Sequence, residues 1–293
     1  MKNFLLALTL FIPLLFSSCS KKDEMKPLKI SATTWVGYTP LFYAKEKGWL
    51  KKINVKLLHV VSLSENMYLY KAGNSDAYAG TQYEYSILKK NLKALFPIFY
   101  FDRSNGGDII MSNTSIANLQ KENGAIDVYL EMDSINYPLF KDFVEAYSLK
   151  QKKFNYINRD QAQIAALQKK DMKRSTVIVT YAPYDFTLED QGFIEIASTK
   201  DNLDLLVFDA MFTTKKKYEE HKKQFLKIKE YIDSAVEVLK RDPQGYHETI
   251  KPYLEGVSYQ DFLHSVNDIE WINTKLSSEL QTKIDKVLER DSK

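Results

Sequence analysis

Between Lys29 and Phe101 the sequence repeats one pattern: a short apolar run, a polar turn, then an amphipathic helical stretch. Lys29 to Trp35 reads as a strand, and Thr39 and Pro40 then supply an N-cap and a first helical residue whose missing N–H costs nothing. Leu41, Ala44 and Leu50 fall on the buried face, Lys45, Glu46 and Lys47 face water, and Gly48 supplies a C-cap. Ile53 to Val61 is a second strand; Ser64 caps a helix over Glu65 to Lys71; Asp76 to Gly80 is a third strand. Thr81 caps a helix over Gln82 to Lys89, and Leu95 to Phe101 is a fourth strand. Strictly alternating strands and helices argue for a parallel sheet in an α/β protein. In such sheets small ligands bind where strands end and helices begin, because free N–H groups collect there.

A loop, Asp102 to Asp108, and a strand, Ile109 to Ser112, lead into a second series of the same kind. Strands are expected at Ala125 to Glu131, Phe154 to Asn158, Ser175 to Thr180 and Ile194 to Ala197, and helices at Ser134 or Asn136 to Tyr147 and Asp160 to Lys169. Two such series imply two similar lobes. Leu203 to Phe208 is nearly all apolar and reads as a buried strand. The rest is helical: apolar positions Phe225, Ile228, Ile232, Ala235, Val236 and Leu239 define one long helix, Tyr218 to Arg241, closed by Asp242-Pro243. Shorter helices follow at Gly245 to Leu254, Ser258 to Val266 and Leu276 to Leu288.

The start of the chain is a targeting segment rather than part of the fold. Lys2 precedes an apolar run, Phe4 to Phe16, that is short of the roughly 20 residues needed to span a bilayer. Ser17 and Ser18 then lead to Cys19, the single cysteine of the chain, so no internal disulfide forms and the core alone must hold the fold. Lys21 to Lys26 has the composition of a flexible tether.

The formal charge is +3 and falls to +2 without Lys2, and no basic stripe tracks a polyanion, which argues against nucleic acid as a partner. No HExxH, GxSxG, phosphate-binding loop or CxxC occurs. Of the four histidines, His59 is expected to be structural, and His221, His247 and His264 to lie on helix surfaces. No metal or organic cofactor is expected.

Taken in order, TTWVGYTPLFYAKEKGWL, SENMYLYKAGNSDAYAG, FDRSNGGDIIMS, DVYLEMDSINYPL, QAQIAALQKKDM, TVIVTYAPYD and LDLLVFD resemble the substrate-binding proteins of bacterial ABC importers, in the nitrate/sulfonate/taurine and thiamine-pyrimidine branch. The segment Leu15-Phe16-Ser17-Ser18-Cys19 resembles a lipobox, with Phe16 in place of the usual Leu. The resemblance implies a two-lobe α/β fold of the type II periplasmic-binding-protein class, with two crossover strands and a helical C-terminal tail packed on the first lobe. It places a signal peptide at 1–18, a tether at 19–27, the first lobe at 28–112 plus 205–293, and the second at 113–204. It further implies an exported monomer, lipidated on Cys19, that closes on a small solute and delivers it to a membrane permease without catalysis. Ligand contacts are then expected from Trp35, Tyr38, Thr81, Tyr83, Glu84, Ser104, Asp108, Asp133, Ser134, Asn136, Tyr181 and Tyr184.

Glu84, Asp108, Glu131 and Asp133 fall near the candidate ligand loops, and Asp204 and Asp209 flank the return strand. A bare oxyanion would be repelled by such carboxylates, whereas an amine-bearing, zwitterionic or heterocyclic solute suits them better. A sensing partner for a membrane receptor would have the same lobes. The fungal thiamine-pyrimidine synthase and menaquinone-pathway enzymes share the frame, but the first carries a cysteine-rich iron motif missing here and the second lack an export signal.

Overall fold

A computed structural model describes residues 25–290, apart from 201, 202 and 255. The lipobox and Cys19 lie outside the described residues. Among the described residues, eleven strands form two sheets. In chain order they are β1 (Leu28–Thr33), β2 (Val55–Val60), β3 (Ala77–Thr81), β4 (Leu95–Ser104), β5 (Asp108–Ser112), β6 (Ala125–Leu130), β7 (Lys153–Asn158), β8 (Thr176–Tyr181), β9 (Ile194–Ser198), β10 (Phe208–Thr214) and β11 (Ile269–Trp271). The first sheet has the order β11-β4-β10-β3-β1-β2, and the second β7-β6-β8-β5-β9.

Each sheet has a parallel part built from βαβ units and an antiparallel part made where the chain crosses over. β1 pairs in parallel with β2 and β3, and β6 with β7 and β8. β10 runs antiparallel between β3 and β4, and β5 antiparallel between β8 and β9. Every residue of β3, β5 and β8 is buried, as expected for strands covered on both faces.

Strand β5 hydrogen-bonds within the second sheet, between β8 and β9. One strand expected from sequence needs correction. Leu203 to Phe208 is not a strand; β10 begins only at Phe208 and continues to Thr214. The run is apolar because Leu205 packs against the cores of both lobes as the chain crosses, and Leu206 against a third cluster.

Local chemistry sets the helix starts. Ser62, not Ser64, caps the helix Leu63–Lys71, its side chain accepting from Glu65 N–H. Thr81 and Glu84 form a reciprocal capping box at the start of Gln82–Lys89. The helix Thr39–Glu46 has Pro40 in its first turn, while Thr39 Oγ1 donates to the Val36 carbonyl instead of capping.

The long helix Lys215–Arg241 lays Phe225, Ile228, Ile232, Ala235 and Leu239 into the core of the first lobe, against the helix Thr39–Glu46. Its φ/ψ break at His221, whose Nδ1 meets Gln224 Oε1 at 2.8 Å. His221 and His247 are buried, contrary to the surface expectation: Gln224 holds the first, and Tyr259 and Phe262 enclose the second. His264 is exposed as expected, and His59, also exposed, meets Thr34 Oγ1 at 2.7 Å. No helix among the described residues is long and apolar enough to cross a membrane.

Candidate solute site between the lobes

Two register pairs, one in each sheet, build the site. In the first sheet β10 sets Asp209 opposite Thr81. In the second, β5 sets Asp108 opposite Tyr181. These four residues, with Trp35, Tyr38 and Leu63, wall a cavity of about 10 Å³ between the lobes. That is room for about one water and far below the roughly 300–1,000 Å³ of drug-sized ligand pockets, so the lobes stand closed on each other and must part to admit a solute. Larger crevices lie near the crossovers and the helix Asn136–Ala146, but charged residues such as Glu279, Lys283, Lys141 and Glu145 line them and they are more open to water.

Trp35 is fixed from three sides. Its indole N–H donates to Asp102 Oδ1 at 3.1 Å, and its ring meets Tyr181 edge to face, with centroids 6.0 Å apart. Glycine makes room for it. A Cβ at Gly37 would sit 1.9 Å from Asp102 Oδ2 and 2.5 Å from Trp35 Nε1, and one at Gly107 would sit 2.5 Å from Trp35 Cη2. Beside the indole, the Tyr38 hydroxyl donates to Asp209 Oδ1.

Acidic side chains also clasp the lobes together. Glu84, at the first-lobe capping box, accepts through Oε2 from Thr81 N–H and Oγ1 at 2.8 and 2.7 Å, and through Oε1 from Ile135 N–H of the second lobe at 2.9 Å. Reciprocally, Glu131 Oε2 of the second lobe accepts from Ser64 N–H and Oγ of the first, both at 3.2 Å. At the rim the Tyr68 hydroxyl donates to Asp133 Oδ2.

This concentration of carboxyls is costly when ionised. Burial pushes Asp102 up to about 8; the Trp35 donor opposes the shift and the charge of Asp108 adds to it. Burial likewise lifts Asp108 to about 7, against a bond to Ser104 and with the charge of Glu84 adding. Glu131 is pushed to about 8 by burial, partly offset by Ser64 N–H. Burial also raises Asp209 well above its ordinary range, helped by Asp102, and raises Glu84 against its Thr81 bonds. Asp185, next to Tyr184, goes to about 7 through burial.

Of the residues singled out from sequence, Trp35, Tyr38, Thr81, Asp108 and Tyr181 meet at the cavity. Glu84 and Asp133 join the lobes instead of lining the cavity. Ser134 shapes the turn before the helix Asn136–Ala146, donating to the Glu131 carbonyl and accepting from Asn136 N–H. Asn136 joins an internal chain in which Gln161 donates to it at 2.9 Å and accepts from Thr180 Oγ1 at 2.9 Å. Tyr184 packs edge-on against Tyr181, and Tyr83 rests partly buried against the first-lobe core. Ser104 serves the crossovers: its Oγ lies 2.8 Å from Thr199 Oγ1, tying the outgoing segment to the returning one. Sequence reasoning did not include Leu63 and Asp209 among the site residues, and Asp102 was not weighed as an acid. Asp209 was visible as an acid beside an apolar run, but only the long-range pairing of β10 with β3 brings it to Thr81.

On this geometry the comparison with solved structures is direct. The ligand-binding component of an ABC-type import system from Staphylococcus aureus, determined with zinc bound, superposes with a TM-score of 0.72 at 12% identity, covering 91% of this chain and 92% of that one. The alkanesulfonate-binding protein SsuA from Xanthomonas axonopodis pv. citri, bound to MOPS, gives 0.68 at 12% identity, with 92% and 94% covered. This chain has the periplasmic-binding-protein fold. The nitrate-binding protein NrtA from Synechocystis PCC 6803 follows at 0.60 and 15% identity, over 81% of this chain and 69% of that one. No family model and no curated protein sequence matches. At these identities the likeness is one of fold. The periplasmic-binding-protein fold places the cavity between Thr81–Asp209 and Asp108–Tyr181 in the cleft between its two lobes.

Proposed function

We propose that this chain is the solute-binding component of an ABC-type importer: an exported protein, lipid-anchored through Cys19, that captures a small amine-bearing, sulfonate-like or heterocyclic solute and passes it to a membrane permease. The observation that carries the proposal is the cavity whose walls come from both lobes, with Glu84 and Glu131 each reaching across to the opposite backbone. A solute there touches both lobes only when they are together, so its binding free energy shifts the open–closed equilibrium toward closure. The structural neighbours, whose names describe import components and sulfonate- and nitrate-binding proteins, support the same role without catalysis. Contacts are assigned to Trp35, Tyr38, Thr81, Asp108, Tyr181 and Asp209. The first lobe is taken as 28–104 with 205–290 and the second as 108–198, following sheet membership.

Small-angle scattering and thermal unfolding, measured on the purified chain with a panel of sulfonates, nitrate, amines, amino acids and nitrogen heterocycles, test this. The expected result is one solute class that compacts the protein and raises its unfolding temperature; a ligand at 100 times its Kd adds about 2.7 kcal/mol. A panel that leaves both the radius of gyration and the unfolding temperature unchanged would overturn the proposal.

A further inference from the structure

The interlobe cavity gathers carboxyl groups with no cationic side chain on the protein beside them. Asp108 and Asp209 line it, and Glu84, Asp102 and Glu131 stand close enough to act on them or on one another. Among the described residues, none of these five pairs with a lysine, arginine or histidine; the nearest guanidinium in sequence, Arg103, pairs with Glu270 at 3.2 Å. A second observation is independent of the acids. Tyr181 lines the cavity and is 1% exposed, and its hydroxyl has no hydrogen-bond partner. A buried hydroxyl is rarely left unpaired, and one on a residue that lines a cavity points to a polar group arriving there. Trp35 and Tyr38 add aromatic rings to the lining, and aromatic rings attract cations.

We propose that the solute is a compact organic cation, bearing an ammonium or amidinium group that donates to Asp108 and Asp209, with its body against Trp35 and Tyr181. This assignment rests on the solute-binding reading and narrows it, setting aside simple sulfonates and nitrate. Such an anion would sit among carboxylates with no countercharge, whereas the cation supplies what the walls lack. A bare metal ion does not fit the arrangement: among the described residues no three acidic, histidine or cysteine side chains converge as a metal site would require. The positive charge therefore belongs on a larger frame that also fills the aromatic side.

Calorimetric titration of the purified full chain tests the charge directly. The cationic probes are putrescine, agmatine, ethanolamine and 4-aminopyridine; the anionic ones are methanesulfonate and nitrate. At least one cation is expected to bind, and Asp108→Asn and Asp209→Asn are each expected to weaken it tenfold or more. Both variants replace a buried carboxyl by a neutral amide of the same shape, so they should unfold no earlier than the parent; Tyr181→Phe, which deletes only the unpaired hydroxyl, should weaken the same cation and guards against misfolding. Binding of an anion but no cation would overturn the charge assignment and leave the solute-binding role intact. Equal cation affinity in parent and variants would place the binding elsewhere and overturn the proposal. No binding by any probe would overturn it as well, and the scattering experiment above then decides separately whether the protein is a solute receptor at all.

Discussion

Glu84 accepts a hydrogen bond from the Ile135 N–H, 2.9 Å away and 51 residues later, and so joins the helix cap of one lobe to the start of a helix in the other. Its second oxygen completes the capping box with Thr81. In Glu84→Gln the amide oxygen can keep the cap, but the NH₂ then faces the Ile135 N–H, donor against donor. A buried bond to a charged acceptor contributes about 1.5–3 kcal/mol, so closure should weaken by tenfold or more while the first lobe stays folded. Scattering should show a larger radius of gyration with unchanged helical circular dichroism; an unchanged radius would show that this bond does not hold the lobes.

The same acids predict a pH-dependent shape. A solvated carboxyl titrates near 4, whereas in the closed protein Asp108 reaches about 7 and Asp102 and Glu131 about 8. Their raised values mean the closed form holds protons that the open or unfolded form has released. Closure is therefore favoured at low pH and loses stability progressively as pH rises from about 4 through about 7 to 8, with little further change above. The groups facing Asp108 are Glu84, Asp102, Asp209 and Tyr181, so each proton lost adds repulsion among neighbours. The radius of gyration should increase between pH 5 and pH 8.5 in the absence of solute. A constant radius across that range would contradict it.

Glycine at 107 is a packing requirement. A methyl group there would sit 2.5 Å from the Trp35 ring, with the Asp268 carbonyl close behind at 3.4 Å. Gly107→Ala should cost about 1–3 kcal/mol and displace the indole. A lower unfolding temperature with red-shifted tryptophan emission is expected, and a variant with parental values for both would mean the indole has room to move.

Trp35 is the one tryptophan of the three that lines the cavity. A solute that enters should change its emission, and Trp35→Phe should abolish that change and weaken binding tenfold or more by deleting the bond to Asp102 and part of the aromatic wall. A signal that survives in Trp35→Phe would have to come from Trp49 or Trp271, and would move the solute away from this cavity.

The membrane anchor is testable by fractionation. Cys19→Ala should move the protein from the membrane fraction to the soluble one, without altering its unfolding temperature, since the tether lies ahead of β1. Retention in the membrane fraction would point to another attachment.

Much of the frame and five of the seven residues of the cavity wall are legible locally. Trp35, Tyr38 and Thr81 follow strand ends, and Asp108 and Tyr181 flank strands whose apolar runs are unmistakable. Asp209 and Leu63 were missed for different reasons. Asp209 reaches the wall because β10 inserts antiparallel between β3 and β4, a pairing across more than a hundred residues with no local signature. Leu63 was overlooked because the cap was placed at Ser64; with Ser62 as cap, Leu63 becomes the first residue of the helix and faces inward. The error at 203–208 has a physical source as well. An apolar run records contact with apolar neighbours, and Leu203, Leu205 and Leu206 gain that contact by lying partly buried against the cores, without a strand's ladder.

Gln82 shows how that crossover is held without a sheet. Its side-chain amide donates to the Leu206 carbonyl and accepts from the Phe208 N–H, taking both ladder positions that a neighbouring strand would otherwise occupy. The returning chain is thereby clamped to the first lobe from residue 206 onward, while Thr199 is bonded to Asp108 on the second. One residue before that clamp, the Leu205 N–H donates to Asp142 Oδ2 of the second lobe at 2.9 Å. Neighbouring residues of the returning chain are thus gripped by opposite lobes, so one or two residues inserted between Leu205 and Leu206 would loosen the swing of the lobes without touching any wall of the cavity.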